Sequence, residues 1–186
     1  EGFVTALVDA PSDHPGEDGL AGFRSTPQHA EDLGKVIADV RRRTKLPVWL
    51  AGTSRGSISA ANAAARLSGD AAPDGVVLPS PVPSRRRGHK ASVAQTVFDL
   101  PLDAIKVPLL VIGHAADQCL RSPARMNGDI AARAGSARKQ LVTVTGGPGG
   151  GSGGIESCQG RSPHGYVEQE AEVAGGIARF VRGGRY

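Results

Sequence analysis

Residues 46–67 read LPVWLAGTSRGSISAANAAARL. An apolar run over 47–52 ends in Gly52-Thr53-Ser54-Arg55-Gly56, and a helical pattern of small residues follows with no linker. The apolar run reads as a buried strand and the small residues as a helix that approaches a sheet closely. A strand that becomes a helix in so few residues must turn sharply, which forces the serine toward strained backbone angles. Glycine is then expected at both 52 and 56, where a Cβ would meet neighbouring chain. Such a turn presents the Ser54 hydroxyl at the carboxyl end of a strand and at a helix N-terminus. Amide donors and the positive end of the helix dipole favour developing negative charge there.

Outward from this turn, nearly continuous apolar runs recur at 3–9 (FVTALVD), 75–79 (GVVLP), 107–113 (VPLLVIG) and 140–145 (QLVTVT). Runs that do not alternate with polar residues suit strands covered on both faces of a parallel sheet. Helices are expected between them. Thr26 caps the first, Pro27 opens it, and Leu33, Val36, Ile37 and Val40 share one face. Others are expected at about 93–105, 122–134 and 166–182, the last with Val173, Ile177, Phe180 and Val181 as its stripe. The alternation predicts an α/β class with a doubly wound, mostly parallel sheet of about five strands, in a single domain over 1–186. Residues 10–25 and the glycine-rich 146–165 read as loops, and no internal repeat is present.

The composition is that of an ordinary globular protein: 39% hydrophobic and 22% charged, at a length that buries a core without metal or disulfide help. No apolar run reaches the roughly 18 residues of a membrane helix. The first residues do not read as a secretory leader, and the opening Glu1 reads as a processed or trimmed terminus. The net charge of +4 rests partly on RRRTK at 41–45 and RRRGHK at 85–90. Neither cluster is interleaved with aromatics, and the first falls at a helix end that cations suit, so both read as solvated surface and not as a nucleic-acid site.

With 26 glycines, a G-x-S-x-G match by chance is expected in roughly a quarter of shuffled chains. Gly150-Gly151-Ser152-Gly153-Gly154 is such a match, inside a glycine tract with no helix after it. Ser54 differs by its context. A serine nucleophile needs a base, and the base needs an orienting group. Of the five histidines, His14 lies in the first loop, His29 in a helix, His89 in the basic loop and His114 at a strand end. His164, in SPHGY, lies between the last strand and the last helix, and Asp117 follows the strand at 107–113. Ser54, Asp117 and His164 thus all leave the carboxyl edge of the sheet, where open α/β folds bind ligands.

At these residues the sequence resembles the α/β-hydrolase family, over nearly its whole length. GTSRG is similar to that family's nucleophile elbow, LLVIGHAAD to its acid-bearing strand and loop, and SPHGY to its histidine loop. The resemblance implies Ser54 as nucleophile, His164 as general base and then acid, and Asp117 as the orienting carboxylate. It implies the backbone N–H of Arg55 as one oxyanion donor. Family members carry earlier strands, one ending in an oxyanion loop, before the strand that 3–9 resembles. The chain therefore reads as a truncated form, either a fragment or one whose first strand pairs directly with the strand at 47–52. The backbone of the loop APSDHPGEDG is the expected substitute for the second donor. Only a short loop and one helix separate 75–79 from 107–113, where the family often holds a lid, so an open site and small or extended esters are expected.

Cys119 and Cys158 are the only cysteines. They flank Asp117 and His164 on the loops expected to carry acid and base. A bond between them would staple those loops, stabilising the fold by about 4 kcal/mol in the chain-entropy model, and would imply an oxidising compartment, secreted or periplasmic. Two free thiols are the alternative. Zinc held by His114, Asp117, Cys119, Cys158 and His164 lacks paired-cysteine spacing, and neither a metal nor a cofactor is required. The sequence thus predicts a serine hydrolase of carboxylic esters, acting on small-molecule or polymeric esters. Its rivals are a non-catalytic scaffold that binds a ligand or partner, and an acyltransferase. The oligomeric state and the acyl and alcohol groups are not legible.

Overall fold

A computed structural model of the chain describes residues 2–14, 20–85, 95–149 and 156–186. A four-stranded parallel sheet runs β1 (Trp49–Ala51), β2 (Gly75–Pro79), β3 (Leu109–His114) and β4 (Lys139–Val144), in that spatial order. The register sets Leu50 beside Val76, Val77 beside Leu110 and Ile112 beside Val142. The helices are α1 (Pro27–Thr44), α2 (Gly56–Arg66), α3 (Asn127–Arg133) and α4 (Glu170–Val181).

Because successive side chains of a strand point to opposite faces, the continuous apolar runs feed two cores. Val76, Leu78, Leu109 and Val111 pack with Ile58 of α2 and Ile130 of α3. Val77, Leu110 and Ile112 pack on the other face with Val173 and Phe180 of α4. β2 and β3 are buried along their whole length, as strands covered on both faces must be. β4, at an edge, alternates and leaves Leu141 exposed. Burying a side chain the size of Phe180 contributes about 1.5–3 kcal/mol. Its ring meets Trp49 edge-on at 5.9 Å and lies under the Arg138 guanidinium at 4.1 Å. Gly75 makes room for Trp49, since a Cβ there would stand 2.3 Å from the indole.

The expected cap of α1 forms: the Thr26 side chain accepts from His29 N–H, with Pro27 next. At its other end Arg41 reaches the Ala72 carbonyl at 3.0 Å and Asp74 at 2.5 Å, and Arg42 and Arg43 pair with Asp39. The basic cluster at 41–45 is thus largely spent on local contacts. Arg85 of the second cluster pairs with Asp99, and 86–90 lie outside the described residues.

Two expectations need correction. Residues 3–9 form no strand: they are exposed throughout, Leu7 fully, and the sheet has four strands instead of five. An apolar run becomes a strand only where a partner satisfies its backbone, and β1 pairs with β2 alone among the described residues. The direct pairing of 3–9 with β1 is therefore absent. The helix expected at 93–105 is instead a pair of 3₁₀ turns, Val97–Asp99 and Leu102–Ala104. Thr96 and Asp99 close a capping box over three residues, and Pro101 cannot continue a helix. Residues 93 and 94 lie outside the described set.

Candidate active site

The turn between β1 and α2 holds Ser54 at φ 52°, the left-handed region that a non-glycine residue rarely adopts. Its N–H donates to the Pro79 carbonyl at 3.1 Å, and its carbonyl accepts from Ser57 Oγ at 2.6 Å. Ser57 Oγ in turn accepts from Val82 N–H at 3.2 Å, so the turn is pinned to the chain leaving β2. A Cβ on Gly52 would lie 2.2 Å from the Gly56 carbonyl oxygen and 2.8 Å from the Ala60 methyl. Glycine is required at 52. At 56 it is not: a Cβ there meets nothing within 4 Å, which corrects the expectation of two obligatory glycines. Gly56 crowds the turn through its carbonyl and not through its α-carbon.

The acid and the histidine come together from separate loops. His164 Nδ1 stands 2.9 Å from Asp117 Oδ2, with both side chains almost fully buried. Asp117 Oδ1 accepts from Cys119 N–H at 2.8 Å. An ionised carboxylate only accepts, so Nδ1 carries the imidazole proton and Nε2 presents a lone pair. That Nε2 is buried and has no hydrogen-bond partner, so Ser54 Oγ does not reach it in this structure. The structure joins Asp117 to His164, and brings Ser54 to the same sheet edge without closing the last hydrogen bond.

Cys119 and Cys158 are disulfide-bonded, 39 residues apart, and tie the acid loop to the histidine loop. Asp117, Cys119 and His164 place ligand-type atoms within 4.8 Å of one another. Cys119 Sγ is bonded to sulfur and is no thiolate, so the donor set does not suit zinc. His114 is likewise satisfied: its Nδ1 accepts from Ala116 N–H at 3.0 Å and its Nε2 lies 2.9 Å from Gln169 Oε1. His14 stacks on Phe23 at 3.8 Å, and His89 and Ser152 lie outside the described residues. His29 is buried against Phe23, and burial, followed by the nearby Arg24 charge, holds its pKa below the usual histidine value. Arg24 itself donates to Ser59 Oγ at 2.8 Å on α2, one turn beyond Arg55.

Residues that sequence reasoning missed stand behind the histidine. Ser80, at the end of β2, and Tyr166 are both buried and hydrogen-bonded to one another. Burial pushes the Tyr166 pKa up to about 12, against the opposing pull of its bonds to Ser80. The available signal was a serine closing a continuous apolar strand at the edge that carries Ser54.

No protein-family model and no curated protein sequence matches the chain. Solved structures do. An esterase from Exiguobacterium antarcticum superposes with a TM-score of 0.53 at 13% identity, covering 85% of this chain and 75% of that one. The fold is that of the α/β-hydrolases. A Paleococcus ferrophilus monoacylglycerol lipase matches at TM-score 0.46 and 14% identity, over 63% of this chain and 65% of its own. An esterase from Thermogutta terrifontis matches at 0.47 and 17%, over 82% and 63%. The chain thus spans under two thirds of the length of the lipase and of the Thermogutta esterase. Within the α/β-hydrolase fold, Ser54, Asp117 and His164 all follow carboxyl ends of parallel strands, so the four strands described here suffice to carry all three.

Proposed function

We propose that the chain is a serine hydrolase of carboxylic esters, with Ser54 as nucleophile, His164 as base and Asp117 as its orienting carboxylate. The observation that carries this is the buried Asp117–His164 pair, whose free Nε2 lies at the same sheet edge as a serine strained to positive φ. Catalytic hydrogen bonds are often long in the absence of substrate and tighten as it binds, so the open Ser54–His164 leg is compatible with the role.

In the first half-reaction Ser54 Oγ attacks the ester carbonyl and its proton passes to Nε2. The tetrahedral oxyanion is met by the Arg55 N–H at the start of α2. The C–O bond then breaks, and the alcohol leaves with the proton from Nε2. In the second half-reaction His164 takes a proton from water as the water oxygen attacks the acyl-enzyme. The acyl C–Oγ bond then breaks as Nε2 returns that proton to Ser54 Oγ, releasing the acid. The disulfide fits a protein that folds in an oxidising compartment, so we place it outside the cytosol, secreted or periplasmic. No helix is long and apolar enough to cross a membrane among the described residues.

Fluorophosphonate labelling tests the reading directly, because it needs an activated serine. Stoichiometric label on Ser54 and turnover of p-nitrophenyl esters support it. An unlabelled Ser54 in folded protein overturns it in favour of a ligand-binding scaffold, and product analysis with added alcohol separates hydrolysis from acyl transfer.

A further inference from the structure

The end of β2 touches both halves of the site. Pro79 accepts from Ser54 N–H, and Val82 N–H donates to Ser57 Oγ beneath the nucleophile turn. Between them Ser80, 1% exposed, sits at φ 43°, again a region serine seldom adopts. Its Oγ lies 2.7 Å from the carbonyl oxygen of His164 itself and 3.0 Å from Tyr166 Oη. Its N–H donates to the Ile112 carbonyl on β3 at 2.8 Å and also meets Tyr166 Oη at 2.9 Å, and that hydroxyl lies 3.1 Å from the same carbonyl. Two hydroxyl protons serve these contacts. The shortest takes the Ser80 hydroxyl proton, so Ser80 Oγ donates to His164, while Tyr166 donates to the Ile112 carbonyl and shares the Ser80 N–H with it. Ser122 Oγ donates to the Ser80 carbonyl at 3.1 Å and closes the network.

The His164 ring makes one hydrogen bond, at Nδ1 to Asp117, so the reach of Nε2 depends on where the main chain of the residue is held. That main chain is held twice: its N–H donates to Ser162 Oγ at 3.2 Å within the histidine loop, and its carbonyl accepts from Ser80 Oγ at 2.7 Å. The Ser80 bond is the anchor that ties it to β2. The disulfide does not supply that tie, since Cys158 is anchored to the acid loop on the far side of the Ser162 turn from His164.

We infer that Ser80 and Tyr166 are positioning residues for His164, which make the end of β2 a common reference for nucleophile and base. The role builds on the esterase reading above, and the spacing between Ser54 and His164 is what it sets. A misplacement of about 1 Å at a reacting group can cost about 10²-fold in rate, so a loosened anchor should be visible in kcat.

The test compares the 186-residue chain with Ser80→Gly, Tyr166→Phe and the double variant. Glycine accepts the left-handed backbone at 80 and removes only the hydroxyl. Two readouts are taken: kcat and KM on p-nitrophenyl acetate, and the proton resonance of His164 Nδ1–H. Expected are a fall in kcat of about 10- to 100-fold with KM nearly unchanged, a shifted or broadened resonance, and a double variant no worse than the poorer single one. A lower melting temperature with parental kcat and an unmoved resonance would overturn the proposal, because a merely structural pair behaves so. The resonance does not depend on turnover. If the parent neither labels at Ser54 nor turns over ester, the esterase reading falls, and the resonance still decides whether Ser80 and Tyr166 hold the histidine.

Discussion

Two glycines of one pentapeptide should respond to the same substitution with opposite signs. In Gly52→Ala the new methyl group would stand 2.2 Å from the Gly56 oxygen, 2.6 Å from the Gly56 carbonyl carbon and 2.8 Å from Ala60 Cβ. None of these is the tip of a flexible side chain, so α2 must back away from β1. Overpacking of this kind costs about 1–3 kcal/mol, and a clash with backbone belongs at the upper end, about 3 kcal/mol. In Gly56→Ala the methyl meets nothing within 4 Å, and the residue opens α2 without positive φ. Alanine is then favoured by about 0.5–1 kcal/mol through helix propensity and the lost freedom of the unfolded chain. For a domain of this size 1 kcal/mol moves the melting temperature by about 2–4 °C. Gly52→Ala should therefore melt about 6–12 °C below the parent and Gly56→Ala about 1–4 °C above it, by circular dichroism at one fixed scan rate. Shifts of the same sign in both variants would refute the claim that only position 52 is sterically closed.

Other outcomes follow from the site. Ser54→Ala should abolish ester turnover and phosphonate labelling without lowering stability, while Ser152→Ala should keep both activities, as measured side by side. Reducing the Cys119–Cys158 bond should cost about 4 kcal/mol at most, read as a drop in the denaturant midpoint, and Cys119→Ser with Cys158→Ser should reproduce it. Tyr166 is neutral when folded up to about pH 12, whereas in the unfolded chain it ionises near its ordinary value of 10. Between those values the folded state binds the extra proton, so its contribution is complete below pH 10 and is lost as pH rises toward 12. The full contribution is about 3 kcal/mol, and Tyr166→Phe should flatten the alkaline unfolding curve over that window.

The parts of the molecule legible in the sequence are those that a local pattern dictates. The runs 75–79 and 107–113 became β2 and β3 because continuous apolar character has one main use in a sheet covered on both faces. The expectation for Asp117 and His164 comes from counting which loops leave the carboxyl edge, and the two side chains stand 2.9 Å apart. The run 3–9 shows the limit of the same logic, since apolarity states what a segment can bury and not whether a partner stands beside it. The 3₁₀ turns at 97–104 stand in place of the helix expected at 93–105, because the Thr96–Asp99 capping box closes one turn and Pro101 stops it from continuing. Ser80 and Tyr166 are 86 positions apart, and nothing local to either announces a bond made only when β2, β3 and the histidine loop have assembled.

The order of strands across the sheet repeats their order along the chain. Each strand emerging from the ribosome therefore finds its neighbour already made, and domains grow from the N-terminal side during synthesis. The site is delivered in the same sequence: the serine turn is complete once residue 82 is in place, the carboxylate follows β3, and the histidine arrives only after β4. A polypeptide ending before β4 would thus carry the shaped Ser54 turn and the Asp117 carboxylate without His164. The Asp117–His164 pair is the last part of the site to form, and α4, whose Val173 and Phe180 close one of the two cores, follows it along the chain.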